Sequence, residues 1–176
     1  MNGYIVALIG LPGAGKSTVA RSLLQRFDLN EVNRDNIRAA MFPDCDYSDQ
    51  EKLAAEDAVM SAVQANCASG RNSIVDGMTF SNRASLDRLR RCGEQYGFRT
   101  MPVWLDCPVP VARRRVTGDR QHPATDRSAE LVSKVAERFQ QPPDDAIRLD
   151  ATQPISAVCA ATAEALRASA IPDRTH

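Results

Sequence analysis

The chain has 176 residues, 43% of them hydrophobic, and 22 Lys and Arg stand against 22 Asp and Glu, so its formal charge is zero. That length accommodates one domain with a sizeable core, read here as residues 1–176. The charge balance excludes a global attraction to nucleic acid or acidic lipid, although it leaves room for local basic patches. Five cysteines, an odd number with no C-x-x-C, read as reduced thiols used for packing. His122 and the C-terminal His176 cannot build a histidine metal centre. The N-terminal apolar run is too short for a membrane span and does not read as a signal peptide, so a cytoplasmic location is the default expectation.

The first element is that apolar run, "YIVALI" from Tyr4 to Ile9, the pattern of a buried strand. "GLPGAGKST" follows at once. It meets the pattern G-x-x-x-x-G-K-[ST] at Gly10, Gly15, Lys16 and Ser17. Glycines let the backbone curl so that successive N–H groups point inward, and a helix starting near Lys16 adds the positive end of its dipole. Gly10, Pro12, Gly13, Ala14, Gly15, Lys16, Ser17 and Thr18 are therefore the candidate nucleotide-binding stretch. Lys16 is expected to reach the β- and γ-phosphates of ATP, and the Ser17 hydroxyl to help hold Mg²⁺. "KSTVARSLLQRF" supplies the required helix, with Val19, Leu23, Leu24 and Phe27 at helical spacing.

"LNEV" reads as a weak second strand and "RDNIRAAMF" as a short helix after a turn. Asp35 and Arg38, three residues apart, share one side of that helix. Two readings stay open from spacing alone. Either Asp35 caps the helix and Arg38 is its surface partner, or Asp35 is a general base on an acceptor hydroxyl and Arg38 steers the acceptor or the scissile phosphate. A long helix follows over 48–69, opened by a capping box of Ser48 with Glu51, with Leu53, Val59, Met60, Val63 and Cys67 on its inner face. "NSIVDG" is a short buried strand that ends at Asp76. A carboxylate there, beside a phosphate loop, favours a role in anchoring Mg²⁺ over that of a turn former.

"SNRASLDRLRRCGEQYG" reads as a helix with Leu86, Leu89 and Tyr96 inward. "TMPVWLD" is a strand reaching Asp106, which reads as a turn residue and stays out of the site. "VPVARRRVTGDRQHPATDR" begins as a short helix and becomes polar; 113–127 is its irregular-looking stretch and carries Arg113, Arg114, Arg115, Arg120 and Arg127. An arginine run is most often a solvated face. Phosphoryl transfer wants a cation on the transferred group, so this segment also reads as a lid from which at least one arginine serves. "SAELVSKVAERF" is a helix, "AIRLD" the last strand, and "PISAVCAATAEALRAS" a helix with Pro154 near its first turn. Strands alternating with helices predict a three-layer α/β fold. Its parallel sheet has about five strands, with ligands at the strands' C-terminal ends.

With these stretches in view, the chain resembles the P-loop kinases of the polynucleotide kinase and zeta-toxin group. The resemblance rests on "GLPGAGKST", "NRDNIRAAM", "IVDGMTFSNR" and "RRRVTGDR…DRSAELV", spread over roughly residues 4–140. It implies a nucleoside monophosphate kinase-like fold with an arginine-rich lid over about 113–127. It implies ATP and Mg²⁺ as ligands, Lys16 and Ser17 on phosphate and metal, Asp35 as general base, Arg38 on the acceptor side and Asp76 near acceptor and metal. Arg120 matches the lid arginine best, with Arg115 close by, and "DATQP" would lay Thr152 and Pro154 against the adenine. Where the group commonly has an Asp-x-Thr-Asn sequence, this chain has "DGMTF", without the Asn. Asp44, Asp46, Asp49, Glu51, Glu56 and Asp57 crowd one segment. If it flanks the acceptor groove it repels a polyanion within a Debye length of about 8–10 Å, unless Arg88, Arg90 and Arg91 offset it. The expected activity is transfer of the γ-phosphate of ATP to a hydroxyl, on a nucleic acid 5′ end or a small molecule. The alternative is a nucleotide-dependent switch or regulatory ATPase. The absence of N-K-x-D and the presence of "DNIR" both favour the kinase.

Overall fold

The computed structural model describes residues 2–118 and 128–169. Its central strand is β1 (Gly3–Ile9), which leads through the glycine-rich loop into α1 (Lys16–Leu24). Next come β2 (Asn30–Asn33), α2 (Arg34–Met41), α3 (Asp49–Ala68), β3 (Ser73–Asp76) and α4 (Arg83–Glu94). β4 (Phe98–Asp106), α5 (Val109–Gly118), α6 (Ala129–Glu137), β5 (Ile147–Asp150) and α7 (Ile155–Ala168) complete the order. The five strands form one parallel sheet in the order β2-β3-β1-β4-β5. Among the described residues this is the expected three-layer fold, with seven helices.

The unbroken apolar run of β1 follows from its central place, because a strand covered on both faces has no polar side. Ile5, Ala7 and Ile9 point into the layer built by α3 and α4, with Val59, Val63 and Leu89. Val6 and Leu8 point into the opposite layer, where Val19 and Leu23 of α1 meet Val158 and Leu166 of α7. The chain leaves β1 toward β2 on one side and later returns to β4 on the other. This reversal opens a crevice at the carboxyl ends of β1, β3 and β4.

Several expectations need correction. Leu53 is 58% exposed, and Tyr96 is 37% exposed. The first turns of α3 face the crevice instead of the core, and Tyr96 lies beyond the end of α4. α1 stops at Leu24, although Phe27 is fully buried. Only half of the capping box is present. Ser48 Oγ accepts from the Glu51 amide, but the Glu51 carboxylate takes the Asp46 and Tyr47 amides and the Cys45 thiol. α5 runs to Gly118, so Arg113, Arg114 and Arg115 are helical. Arg120, His122, Arg127 and residues 170–176 lie outside the described residues. All five cysteines are free thiols and four are buried. Among the described residues no helix is long and apolar enough to cross a membrane.

Candidate active site

The crevice is a single cleft of about 1210 Å³. One half is built mainly from backbone. α1 has Gly15 at its N-cap, with no side-chain cap and no acidic residue in its first turn, so its dipole end is left to an outside anion. The amides of Gly13, Gly15 and Ser17 make no hydrogen bond among the described residues. Gly13 has φ 87°, and a Cβ on it would stand 2.5 Å from the Ala112 carbonyl, so only glycine fits where the loop meets α5. Lys16 Nζ donates to the Gly10 and Leu11 carbonyls at 2.8 and 3.0 Å.

Pro12, Gly13, Gly15, Lys16, Ser17 and Thr18 all line the cleft. Gly10 serves it through the carbonyl held by Lys16, and Ala14 is packed in the core. Thr152 and Pro154 line the same half. Their turn is set by Asp150, whose carboxylate accepts from the Thr152 amide and hydroxyl and from Gln153 Nε2. The Thr152 and Gln153 hydrogen bonds draw the Asp150 carboxyl down from an ordinary 3.8 to about 2. Arg115 reaches the cleft from α5. Arg138, just past the end of α6, joins it without any motif to announce it.

The other half is built from side chains. Asn33, the last residue of β2, caps α2: its Oδ1 accepts from the Asp35 and Asn36 amides at 3.0 and 3.1 Å. The capping role that spacing left open for Asp35 thus belongs to Asn33. Asp35 Oδ1 accepts from Arg38 Nη2 at 3.1 Å and from Arg34 Nη2 at 3.4 Å. Arg38 is buried, its guanidinium 4.5 Å from the Tyr47 ring centre. No described residue donates to Asp35 Oδ2, and both Asp35 and Arg38 line the cleft.

Asn33 Nδ2 donates to Asp76 Oδ2 at 3.2 Å, a contact that follows from the register pairing Asn33 with Asp76. Asp76 is fully buried and its Oδ1 has no hydrogen-bond partner. An orphaned carboxylate oxygen in a cleft that also holds the Ser17 hydroxyl suits a hard cation. Among the described residues no cluster of three or more acidic, His or Cys side chains could hold a metal alone. That donor set matches Mg²⁺, which takes most of its oxygens from phosphate and water.

Of the acidic segment, only Asp49 and Glu56 line the cleft, on the first turns of α3 with Lys52 and Leu53. Arg88 offsets part of it, 2.6 Å from Asp57 and 3.9 Å from Glu56, whereas Arg90 pairs with Asp145 and Asp87. Sequence reasoning missed Asn33, Arg34, Lys52 and Arg138. Asn33 alone carried a local signal, as a cap-forming residue ahead of a helix.

A family model described as "AAA domain" matches residues 5–143. Among solved structures, the chain is similar to an unliganded sugar kinase from a Janibacter species. The two share 20% identity over 96% of this chain and 95% of that one, with a TM-score of 0.75. It is also similar to the Mycobacterium tuberculosis APS kinase in complex with AMPPNP and APS, at 20% identity over 94% and 98%, with a TM-score of 0.68. A chain of an RNA repair complex matches at 25% identity and a TM-score of 0.65, over 78% of this chain but 44% of that one.

Proposed function

The chain belongs to the AAA-domain family, and from that premise we propose that it is an ATP-dependent kinase that moves the γ-phosphate to a hydroxyl acceptor. The observation that supports a kinase over a switch is the state of Asp35. Asn33 does the capping, so a buried carboxylate is held by two arginines at the wall of the cleft that contains the phosphate loop. A protein that signals by shape needs no such group.

In this reading ATP lies along the half lined by Thr152, Pro154 and the phosphate loop. The amides of Gly13, Gly15 and Ser17 receive phosphate oxygens, and Lys16 exchanges its two loop carbonyls for oxygens of the β- and γ-phosphates. Arg115 and Arg138 offset the charge that spreads over the transferred group, the role that sequence reasoning gave to Arg120 or Arg115. Ser17 and Asp76 would hold Mg²⁺, which supplies charge neutralisation when bound. Asp35 Oδ2 accepts the proton of the acceptor hydroxyl as its oxygen forms a bond to the γ-phosphorus. The bond from that phosphorus to the β–γ bridging oxygen breaks, and ADP leaves with the electron pair. Arg34 and Arg38 hold Asp35 Oδ1, which fixes the carboxylate and leaves its second oxygen to the substrate.

The test is the fate of γ-labelled ATP incubated with hydroxyl acceptors. Label in an acceptor is the expected outcome. Label found only in inorganic phosphate, with every acceptor left unmodified, favours a regulatory ATPase instead.

A further inference from the structure

We infer that the acceptor is a compact polyhydroxyl molecule that carries no negative charge. The inference rests on the kinase reading and names the substrate class for the same cleft. Two observations support it.

The first is charge. Among the described residues, the half of the cleft formed by β2, β3, α2 and α3 is lined by three cations and four carboxylates. Each of those cations has an acidic partner: Arg34 and Arg38 on Asp35, and Lys52 on Asp49 at 3.3 Å. The Lys52 pair is exposed and therefore weak, but the next turn adds Glu56, whose nearest cation is Arg88 at 3.9 Å. The start of α3 attracts no anion either, because Asp49 and Glu51 already occupy its first turn and Ser48 caps it. An acceptor with its own phosphate or carboxylate would have to displace one of these pairs. It would also lie within a Debye length of about 8–10 Å of Asp49 and Glu56.

The second is shape and polarity. Leu53 is more than half exposed yet faces the cleft, one turn from Glu56 and beside Lys52. Met78 and Phe80, both buried, add apolar surface to the same cleft. A ring with C–H groups on one face and hydroxyls on its rim covers Leu53 and bonds to Glu56, Asn82 and Ser85, which also line this cleft. A nucleic acid end matches the apolar surface but not the charge.

The experiment measures kcat/KM for transfer from γ-labelled ATP by the full chain to matched acceptors. These are neutral aldoses and cyclitols, an amino sugar, the sugar acid of each aldose, and a 5′-hydroxyl oligonucleotide. The neutral or amino compounds are expected to exceed the acids and the oligonucleotide by at least about tenfold. Leu53→Ala is expected to raise the acceptor KM about tenfold with the KM for ATP unchanged. Paired Asp49→Lys and Glu56→Lys exchanges should move preference toward the sugar acids. Preference of the unaltered chain for an acid or the oligonucleotide overturns the inference and leaves the kinase reading intact. Inorganic phosphate alone in every arm overturns the kinase reading, and the inference with it.

Discussion

Under the kinase reading, the two halves of the cleft are built in different ways. On the nucleotide side Lys16 holds two loop carbonyls, and the first turn of α1 carries no acidic residue. On the acceptor side Arg34, Arg38 and Lys52 are each set against an acid. Donors also differ in kind. The first half offers backbone amides fixed by glycines, and the second offers side chains fixed by one another. A loop of backbone donors at a helix N-terminus suits a highly charged ligand, because the ligand supplies the counter-charge. A site for a less charged ligand has to balance itself, since a buried arginine without a partner is costly.

If that contrast holds, damage to the two halves has different signatures. The largest effect is expected from Lys16→Ala, which removes the cation placed among the β- and γ-phosphates. Productive ATP binding should be lost while the fold remains, as read by calorimetry with an ATP analogue and by circular dichroism. Turnover at the original rate would remove the phosphate loop from the reaction. Asp35→Asn comes next. ATP affinity should stay close to the original, and single-turnover transfer should fall by roughly 10²–10⁴, the span of general acid–base help. A lower Tm is expected as well, because Arg38 keeps only the Tyr47 ring and an amide oxygen. Transfer at the original rate would make Asp35 a structural ion-pair partner only.

A smaller effect is expected from Gly77→Ala, again on the acceptor side. Gly77 has φ 77°, and a Cβ there would lie 2.9 Å from the Asp35 amide nitrogen and 3.0 Å from that of Arg34. The left-handed backbone alone costs about 1–2 kcal/mol, or roughly 2–8 °C in Tm for a chain of this size. Transfer should fall while ATP affinity holds; a loss of ATP affinity instead would break the separation of the two halves. The smallest effect concerns the turn at Asp150. Its carboxyl lies at about 2 in the folded chain against an ordinary 3.8. The stabilisation is therefore complete above about pH 4 and is lost as pH falls toward 2. Following the Asp150 carboxyl carbon and the Thr152 amide together by NMR tests this. A Thr152 amide that stays protected through the titration would detach Asp150 from that turn.

The same contrast explains what could be read in the sequence. The phosphate loop is nine consecutive residues, so the strand, the glycines, Lys16 and the helix are legible together. The acceptor side is assembled across β2, α2, α3 and β3, and its details come from register. Asn33, Asp35 and Asn36 are all cap-forming types within four positions. Only the pairing of Asn33 with Asp76 decides which of them caps. Leu53 fits the apolar period of α3, but the helix runs past the sheet, so its first turns meet the cleft. Arg138 gains its place from the packing of α6 beside α5, which no local pattern encodes. Asp35, Arg38 and Asp76 all line the cleft, and carboxylates at strand ends and an i,i+3 pair are local features that a sequence displays.

The Asn33 side chain joins two parts of this machinery, holding Asp76 by its amide and the first turn of α2 by its oxygen. The carboxylate suited to a cation and the carboxylate suited to a proton are therefore parts of one rigid bracket, with Gly77 wedged against its back. Their separation cannot drift when the outer wall of the cleft is altered. In a lineage acquiring new substrates, or in a laboratory selection for them, change is expected to collect on the exposed turns of α3. The bracket itself should tolerate almost none.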